Sequence, residues 1–154
     1  MSEIRKKAIA GLKQGDSFSV SRTFTEQDTL AFAEISRDYN PVHFDDRFAE
    51  AKNFPLRICH GLLVASLLTE IGGEIGWLAS GMNFRFKKPV YFGDTIGCHF
   101  TITEIDDRDR AKAEAVFKNQ RDEIVIEASL TGILPNLAER HVMQVMLAEE
   151  DQQG

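Results

Sequence analysis

The sequence predicts a single α+β domain over residues 1–154, in which one antiparallel sheet wraps around a long buried helix. Residues 62–77 are apolar nearly all round, which is typical of a helix that is buried on most sides. Four segments with strand-like alternation then follow one another between residues 82 and 133, and short turns separate them. Consecutive strands with short connections pair antiparallel. With 154 residues, of which 43 % are hydrophobic, the chain can bury such a core without a disulfide or metal.

The first part of the chain carries a strand pattern and then a helix pattern. Apolar and polar residues alternate over Ser17–Phe24, which predicts a strand. Thr25 and Asp28 have the spacing of a capping box, so a helix of roughly ten residues should follow. We expect that helix to turn three apolar side chains toward the core: Leu30, Ala31 and Ile35. A short helix before the strand is only weakly indicated.

A proline ends the predicted helix. Because Pro41 disfavours the α conformation at Asn40, the helix should stop near Ser36 and the chain should then run extended. The aspartate pair at 45–46 indicates a further short helix through Ala51.

The last part of the chain combines the sheet with a final helix. The first of the four strand segments is expected to send two aromatic side chains into the core, Phe84 and Phe86. Asn136 and Glu139 have the spacing of a second capping box, which predicts a C-terminal helix within residues 134–154. One face of this helix carries Ala138, Val142, Val145 and Met146. The core of the domain is therefore assigned to about residues 12–133.

Composition narrows the classes of function. Eighteen Lys and Arg against 24 Asp and Glu give a net charge of −6, which argues against a nucleic-acid partner. No stretch approaches the ~18 apolar residues of a membrane span, and residues 1–16 lack a run long enough for a secretion signal. Cys59 and Cys98 form no CxxC pair, which favours a reducing, cytoplasmic setting. A lone sheet leaves one face and one edge uncovered, so we expect a symmetric homodimer.

The segment from Asp38 to His43 is the one best suited to chemistry. A carboxylate and an imidazole five positions apart on a loop stiffened by proline can reach one spot, and histidine exchanges protons near neutral pH. The simpler interpretation is a turn, because Asp and Asn are common turn formers and Asn-Pro often starts turns. Spacing alone leaves both interpretations open.

His60-Gly61, at the start of the predicted buried helix, is a second candidate. A glycine there leaves backbone N–H groups open to an anion or a developing oxyanion, although close packing is the simpler reason for Gly61. His43, Asp45 and His60 lack the spacing of a metal site, so no metal is predicted. A small basic cluster near a strand end forms either a solvated face or a site for ligand phosphates: Arg85, Lys87 and Lys88.

These residues together resemble the MaoC-like (R)-specific enoyl-CoA hydratases of the hydratase 2 type. Four stretches carry the likeness, namely Phe32–His43, Cys59–Ala65, Phe84–Val90 and Gly93-Asp94. The resemblance covers roughly residues 12–133 and departs at Arg37, where the family usually carries glycine.

The resemblance implies a hot-dog fold and the reversible hydration of a trans-2-enoyl-CoA to an (R)-3-hydroxyacyl-CoA. Transferred by position, Asp38 and His43 would form the catalytic pair, and the Gly61 amide would donate to the thioester oxygen. No cofactor is implied beyond the CoA that the acyl-CoA substrate carries. We assign substrate contacts to four residues: Asn40, His60, Arg85 and Lys87.

Two other functions remain open at this point. A hot-dog acyl-CoA thioesterase would take its carboxylate base from the buried helix, where Glu70 and Glu74 are the candidates. A non-catalytic acyl-CoA-binding subunit would result if Arg37 paired with Asp38 and held that carboxylate away from water.

Overall fold

Residues 2–154, which the computed structural model describes, form one sheet and a set of helices around it. The helices are α1 (Glu3–Ala10), α2 (Glu26–Ser36), α3 (Asp46–Ala51), α4 (Gly61–Ala65), α5 (Leu67–Ile75) and α6 (Leu137–Gln153). The strands are β1 (Ser17–Thr23), β2 (Leu78–Phe86), β3 (Thr95–Ile105), β4 (Arg110–Lys118) and β5 (Ile124–Ile133). Within the described residues, every helix is too short or too polar to cross a membrane.

The five strands form one antiparallel sheet in the order β1-β3-β4-β5-β2. Its inner face packs on α5, so the predicted α+β arrangement of a sheet around an apolar helix is confirmed. One part of the predicted pairing is wrong, because β2 pairs with β5 rather than with β3. The chain therefore crosses the sheet between Phe86 and Thr95, and this connection passes the mouth of the site described below.

The predicted long helix is divided at Ser66. The Ser66 N–H is shared between the carbonyls of Leu62 and Leu63, which tightens the helix locally between α4 and α5. One face of α5 is buried, through Leu67, Leu68, Ile71 and Ile75, rather than most sides as expected, and Leu62 in α4 is 62 % exposed. The apolar side chains of this stretch therefore pack in the core from α5 and line the site from α4.

Helix α2 has the predicted start and end but buries a different face. The capping box of Thr25 and Asp28 is present, with both reciprocal hydrogen bonds. The side chains buried against the core are Thr29 and Ala33, while Leu30, Ala31 and Ile35 are exposed. Small side chains on the inner face let α2 approach α4 closely, and this packing overrides the hydrophobicity of the outer residues.

Strand β2 also differs from expectation, because it lies at an edge of the sheet. Phe84 is half-buried, but Phe86 is 54 % exposed instead of lying in the core. In helix α6 the capping box of Asn136 and Glu139 is confirmed. Its predicted apolar face is exposed, and the helix instead contacts α1 through Arg140, whose side chain donates to the Ile9 carbonyl at 3.2 Å.

Candidate active site

The loop after α2 presents Asp38 and His43 from a single turn. Helix α2 ends at Ser36 and is capped by Arg37, which adopts a left-handed conformation with φ 58°. The Asn40 side chain accepts a hydrogen bond from the Val42 N–H at 3.2 Å and so caps a 3₁₀ turn that ends at His43. The turn interpretation and the functional interpretation are thus compatible, since the turn itself brings the two side chains to the same side.

The geometry around His43 fixes which of its nitrogens can act as a base. Its Nδ1 lies 2.7 Å from the Ile58 carbonyl, which can only accept, so Nδ1 carries the proton. The Nε2 lone pair then faces Asp38, whose Oδ2 lies 3.9 Å away. Burial of the imidazole lowers the pKa of His43 below its ordinary value, although the bond to Ile58 and the charge of Asp38 oppose this shift. This shift favours the neutral ring, which is able to accept a proton.

Asp38 offers one free carboxylate oxygen. Its Oδ1 accepts a hydrogen bond from the Asn40 N–H at 3.1 Å, while Oδ2 is directed toward His43. A separation of 3.9 Å is too long for a direct hydrogen bond and leaves room for a water that contacts both groups. About half of the Asp38 side chain is exposed, so this water position is open to the surface.

Both side chains line a cavity of about 520 Å³. Its walls are mainly apolar: Phe54, Ile58, Cys59, Leu62, Val64, Phe86, Pro89, Val90 and Ile126. Lys87 and Lys88 add the positive charges at the end of β2. The cavity thus combines a long apolar surface with one acid–base pair and a basic rim, which is the combination needed for an apolar chain with an anionic end.

Gly61 lies in the wall of this cavity at the first position of α4. The first intrahelical donor of α4 is the Val64 N–H, which reaches the His60 carbonyl at 3.2 Å, so the Gly61 N–H precedes the helical hydrogen-bond ladder. A Cβ at position 61 would lie 2.7 Å from the Phe86 ring. Glycine is therefore needed here for space, and the expected packing role and the open amide exist together.

Three of the four predicted substrate contacts lie elsewhere. Asn40 is used in the turn, and His60 is only 1 % exposed and lies beneath the cavity wall. Arg85 points to the other face of β2, where it shares a surface with Glu114 and Glu127. Only Lys87 lines the cavity.

Several wall residues were not singled out from the sequence. Phe86 was assigned to the core, and Phe54 and Ile58 lie in the loop between α3 and α4, where a lone apolar residue carries no recognisable pattern. The sequence signal for these residues is that the loop is more apolar than a solvated turn.

The carboxylates required by the thioesterase alternative lie away from the cavity. Glu74 is bound by the Ser2 hydroxyl and by Arg5, and Glu70 is exposed beside α2. The geometry behind the non-catalytic alternative is also absent, because among residues 2–154 the basic side chain within 4.0 Å of the Asp38 carboxylate is His43 rather than Arg37. Both observations favour the pair of Asp38 and His43 as the reactive groups.

A metal site is not supported by the arrangement of donors. Asp45 caps α3 and pairs with Arg47, but Asp38, His43 and His60 each bring one donor atom within 4.8 Å of the others. The two imidazole rings stack, with centroids 3.8 Å apart and planes at 30°. Because nitrogen lone pairs lie in the ring planes, stacked rings do not direct them to one point, and we assign no metal to this cluster.

Comparison with known proteins supports the fold and identifies the family. A family model described as the MaoC like domain matches residues 10–124. The chain belongs to this MaoC-like family. The structure of an unliganded R-hydratase from Pseudomonas aeruginosa superposes with a TM-score of 0.76 at 27 % identity, covering 83 % of this chain and 85 % of that one. An (R)-hydratase structure from Aeromonas caviae gives 0.75 at 29 % identity, covering 81 % and 98 %. The predicted hot-dog fold is thereby confirmed.

Curated relatives of this MaoC-like chain carry two kinds of name. A mitochondrial 3-hydroxyacyl-[acyl-carrier-protein] dehydratase of Arabidopsis thaliana is 36 % identical over 88 % of this chain and 84 % of that protein. An (R)-specific enoyl-CoA hydratase of Rhodospirillum rubrum is 30 % identical over 80 % and 89 %. The chain is therefore a member of a family of hydratases and dehydratases.

Proposed function

We propose that this MaoC-like protein catalyses the reversible hydration of a trans-2-enoyl-CoA to an (R)-3-hydroxyacyl-CoA. The observation that carries the proposal is the pair of Asp38 Oδ2 and His43 Nε2, which face each other at 3.9 Å in the wall of a largely apolar cavity. The names of the relatives support the reaction class and the handedness of the product.

The acid–base pair acts on the attacking water. Water bound between Asp38 and His43 loses a proton as it attacks the β-carbon of the enoyl thioester. The neutral His43, with Nδ1 held by Ile58, has the free Nε2 lone pair that this step requires. The same pair, once protonated, returns a proton to the α-carbon, so that water adds across the double bond with no net change in the enzyme.

The Gly61 amide is proposed to stabilise the negative charge that develops during attack. As the β-carbon is attacked, negative charge collects on the thioester oxygen as an enolate. The free N–H at the start of α4 is a fixed donor for that oxygen, and the loss of one such donor typically costs about 3 kcal/mol of transition-state stabilisation.

The rest of the cavity suits the remainder of the substrate. The acyl chain is proposed to lie against the apolar wall, and the phosphates of CoA against Lys87 and Lys88. Both lysine side chains are partly exposed. Their positive charges are partly neutralised, because Lys88 pairs with Glu123 and Lys87 lies 3.9 Å from Glu127. No further cofactor forms part of the proposal.

A homodimer in a reducing, cytosolic compartment is part of the same proposal. Strand β2 is an edge strand and exposes three large apolar side chains, Leu78, Met82 and Phe86. An uncovered edge of this kind favours a second copy. Both cysteines are free, which suits the reducing compartment.

The decisive assay follows the loss of the conjugated enoyl chromophore of crotonyl-CoA, with chiral analysis of the 3-hydroxy product. We expect hydration to the (R) product. A parallel arm offers the same acyl group on acyl-carrier protein, and a thiol reagent monitors release of free CoA. Release of thiol without hydration would overturn the proposal in favour of a thioesterase. Faster turnover of the substrate on acyl-carrier protein would show that the carrier protein, rather than CoA, carries the acyl group.

A further inference from the structure

We propose, on the basis of that function, that His60 is a positioning residue which ties Asp38 to His43 from behind the cavity wall. His60 does not line the cavity, and only 1 % of the residue is exposed. The inference replaces the substrate contact expected from the sequence with a role exerted through the two reactive side chains.

The first link is a hydrogen bond to the backbone of Asp38. His60 Nε2 lies 2.9 Å from the Asp38 carbonyl, so Nε2 carries the proton and donates. Among the hydrogen bonds of residues 2–154, this is the one that joins the segment 37–40 to a distant part of the chain. The other bonds of that segment are local, as in the contact of the Asp38 N–H with the Ser36 hydroxyl. His60 therefore holds the first part of a loop whose second part is held by Ile58, through the Val42 carbonyl and the His43 ring.

The second link is the stack between the two imidazoles. The ring centroids of His60 and His43 are 3.8 Å apart and the planes are inclined by 30°. Phe32 packs on His60 with a centroid distance of 5.0 Å and so supports the stack. With Nδ1 of His43 bound to Ile58, the ring of His43 is restrained both in its plane and on one face. The direction of the Nε2 lone pair toward Asp38 depends on both restraints.

The buried nitrogen of His60 supports a dedicated arrangement. His60 Nδ1 is buried and has no hydrogen-bond partner. An unpaired buried polar atom costs free energy, so a histidine that only filled space would be replaced at little cost by an apolar ring. Since His60 also directly precedes Gly61, one residue connects the carboxylate, the base and the oxyanion donor.

Two substitutions separate the two links. His60→Phe keeps a ring for the stack and removes the donor to Asp38, whereas His60→Gln keeps a donor and removes the stack. We expect His60→Phe to lower kcat about 10- to 100-fold, the scale of a small misplacement of a reactive group, with KM changed less than about threefold. His60→Gln should recover part of this loss. In an Asp38→Asn background, His60→Phe should have little further effect on kcat, because the carboxylate that His60 positions is already absent.

Three results would overturn the inference: a kcat for His60→Phe near that of wild type, a rise in KM without a fall in kcat, or the same fold loss in the Asp38→Asn background. A measurement that needs neither activity nor a variant tests the link itself. Spectra of protein labelled with ¹⁵N-histidine should show His60 as the Nε2–H tautomer and His43 as the Nδ1–H tautomer. The opposite tautomer at His60 would refute the bond to Asp38. An inactive wild type with these tautomers would overturn the proposed reaction while the structural link stands.

Discussion

Replacement of Asp38 by asparagine tests the proposed chemistry most directly, because the structure separates its effect on folding from its effect on catalysis. The carboxylate accepts one hydrogen bond, from the Asn40 N–H at 3.1 Å, and an amide oxygen can accept the same bond. About half of the side chain is exposed. The free energy of unfolding should therefore change by no more than about 0.5 kcal/mol, as for an ordinary surface substitution.

The effect on turnover should be far larger. The asparagine amide that replaces Oδ2 opposite His43 cannot take a proton from water. A positioned acid–base group contributes roughly 10²- to 10⁴-fold to the rate, and at about 1.4 kcal/mol per tenfold this corresponds to about 3–5 kcal/mol. We expect kcat for crotonyl-CoA hydration to fall by this factor, with KM nearly unchanged because the apolar wall proposed to hold the acyl chain is untouched.

Asp45→Asn is the matched control. Asp45 caps α3 and pairs with Arg47 outside the cavity, and asparagine is an equally good N-cap. The Asp45→Asn variant loses one negative charge, as Asp38→Asn does, and should keep turnover near that of wild type. If Asp38→Asn retained turnover within about threefold of Asp45→Asn, the carboxylate would not take part in the proton transfers, and the proposed mechanism would be wrong.

Three further predictions follow from the site. Burial lowers the pKa of His43, and the neutral base is lost as the pH falls through that pKa. The midpoint of the acidic limb of the kcat/KM profile should therefore lie below the ordinary pKa of histidine, and a midpoint above it would exclude His43 as the base. Burial raises the pKa of Cys59 and Cys98 to about 12, so native protein at pH 8 should be alkylated by iodoacetamide about a thousandfold more slowly than unfolded protein, and fast labelling would contradict their burial. Gly61→Ala should impair hydration and lower the melting temperature because its methyl group meets the Phe86 ring; combination with Phe86→Leu should restore the melting temperature, and failure to do so would show that the ring contact is not the cause.

Features governed by neighbours in the chain were predictable from the sequence. The capping boxes at the starts of α2 and α6 form between residues three positions apart, so Thr25 with Asp28, and Asn136 with Glu139, determine them locally. The end of α2 before Pro41 has the same local origin. Alternation along β3, β4 and β5 was sufficient for the strands because each has one face on the core.

Part of the candidate site is also local. Asp38 and Asn40 belong to one turn that His43 ends, so their spacing alone restricts where they can point. The Gly61 amide was a separate candidate at the start of the predicted buried helix. Only the resemblance to a family joined it to Asp38 and His43, because the two segments are far apart in the chain and spacing cannot connect them.

The tertiary structure decided which faces are buried and which distant residues meet. Leu30 and Ile35 are exposed because burial depends on what packs against α2, and that surface comes from α4. Arg85 lies on the outer face and Phe86 in the cavity wall because β2 is an edge strand beside β5, which alternation cannot reveal. His60 joins the site through a carbonyl 22 positions earlier in the chain. Hydrogen-bond caps and strand periodicity act over a few residues, whereas burial and the convergence of side chains arise from contacts between segments that only the complete fold brings together.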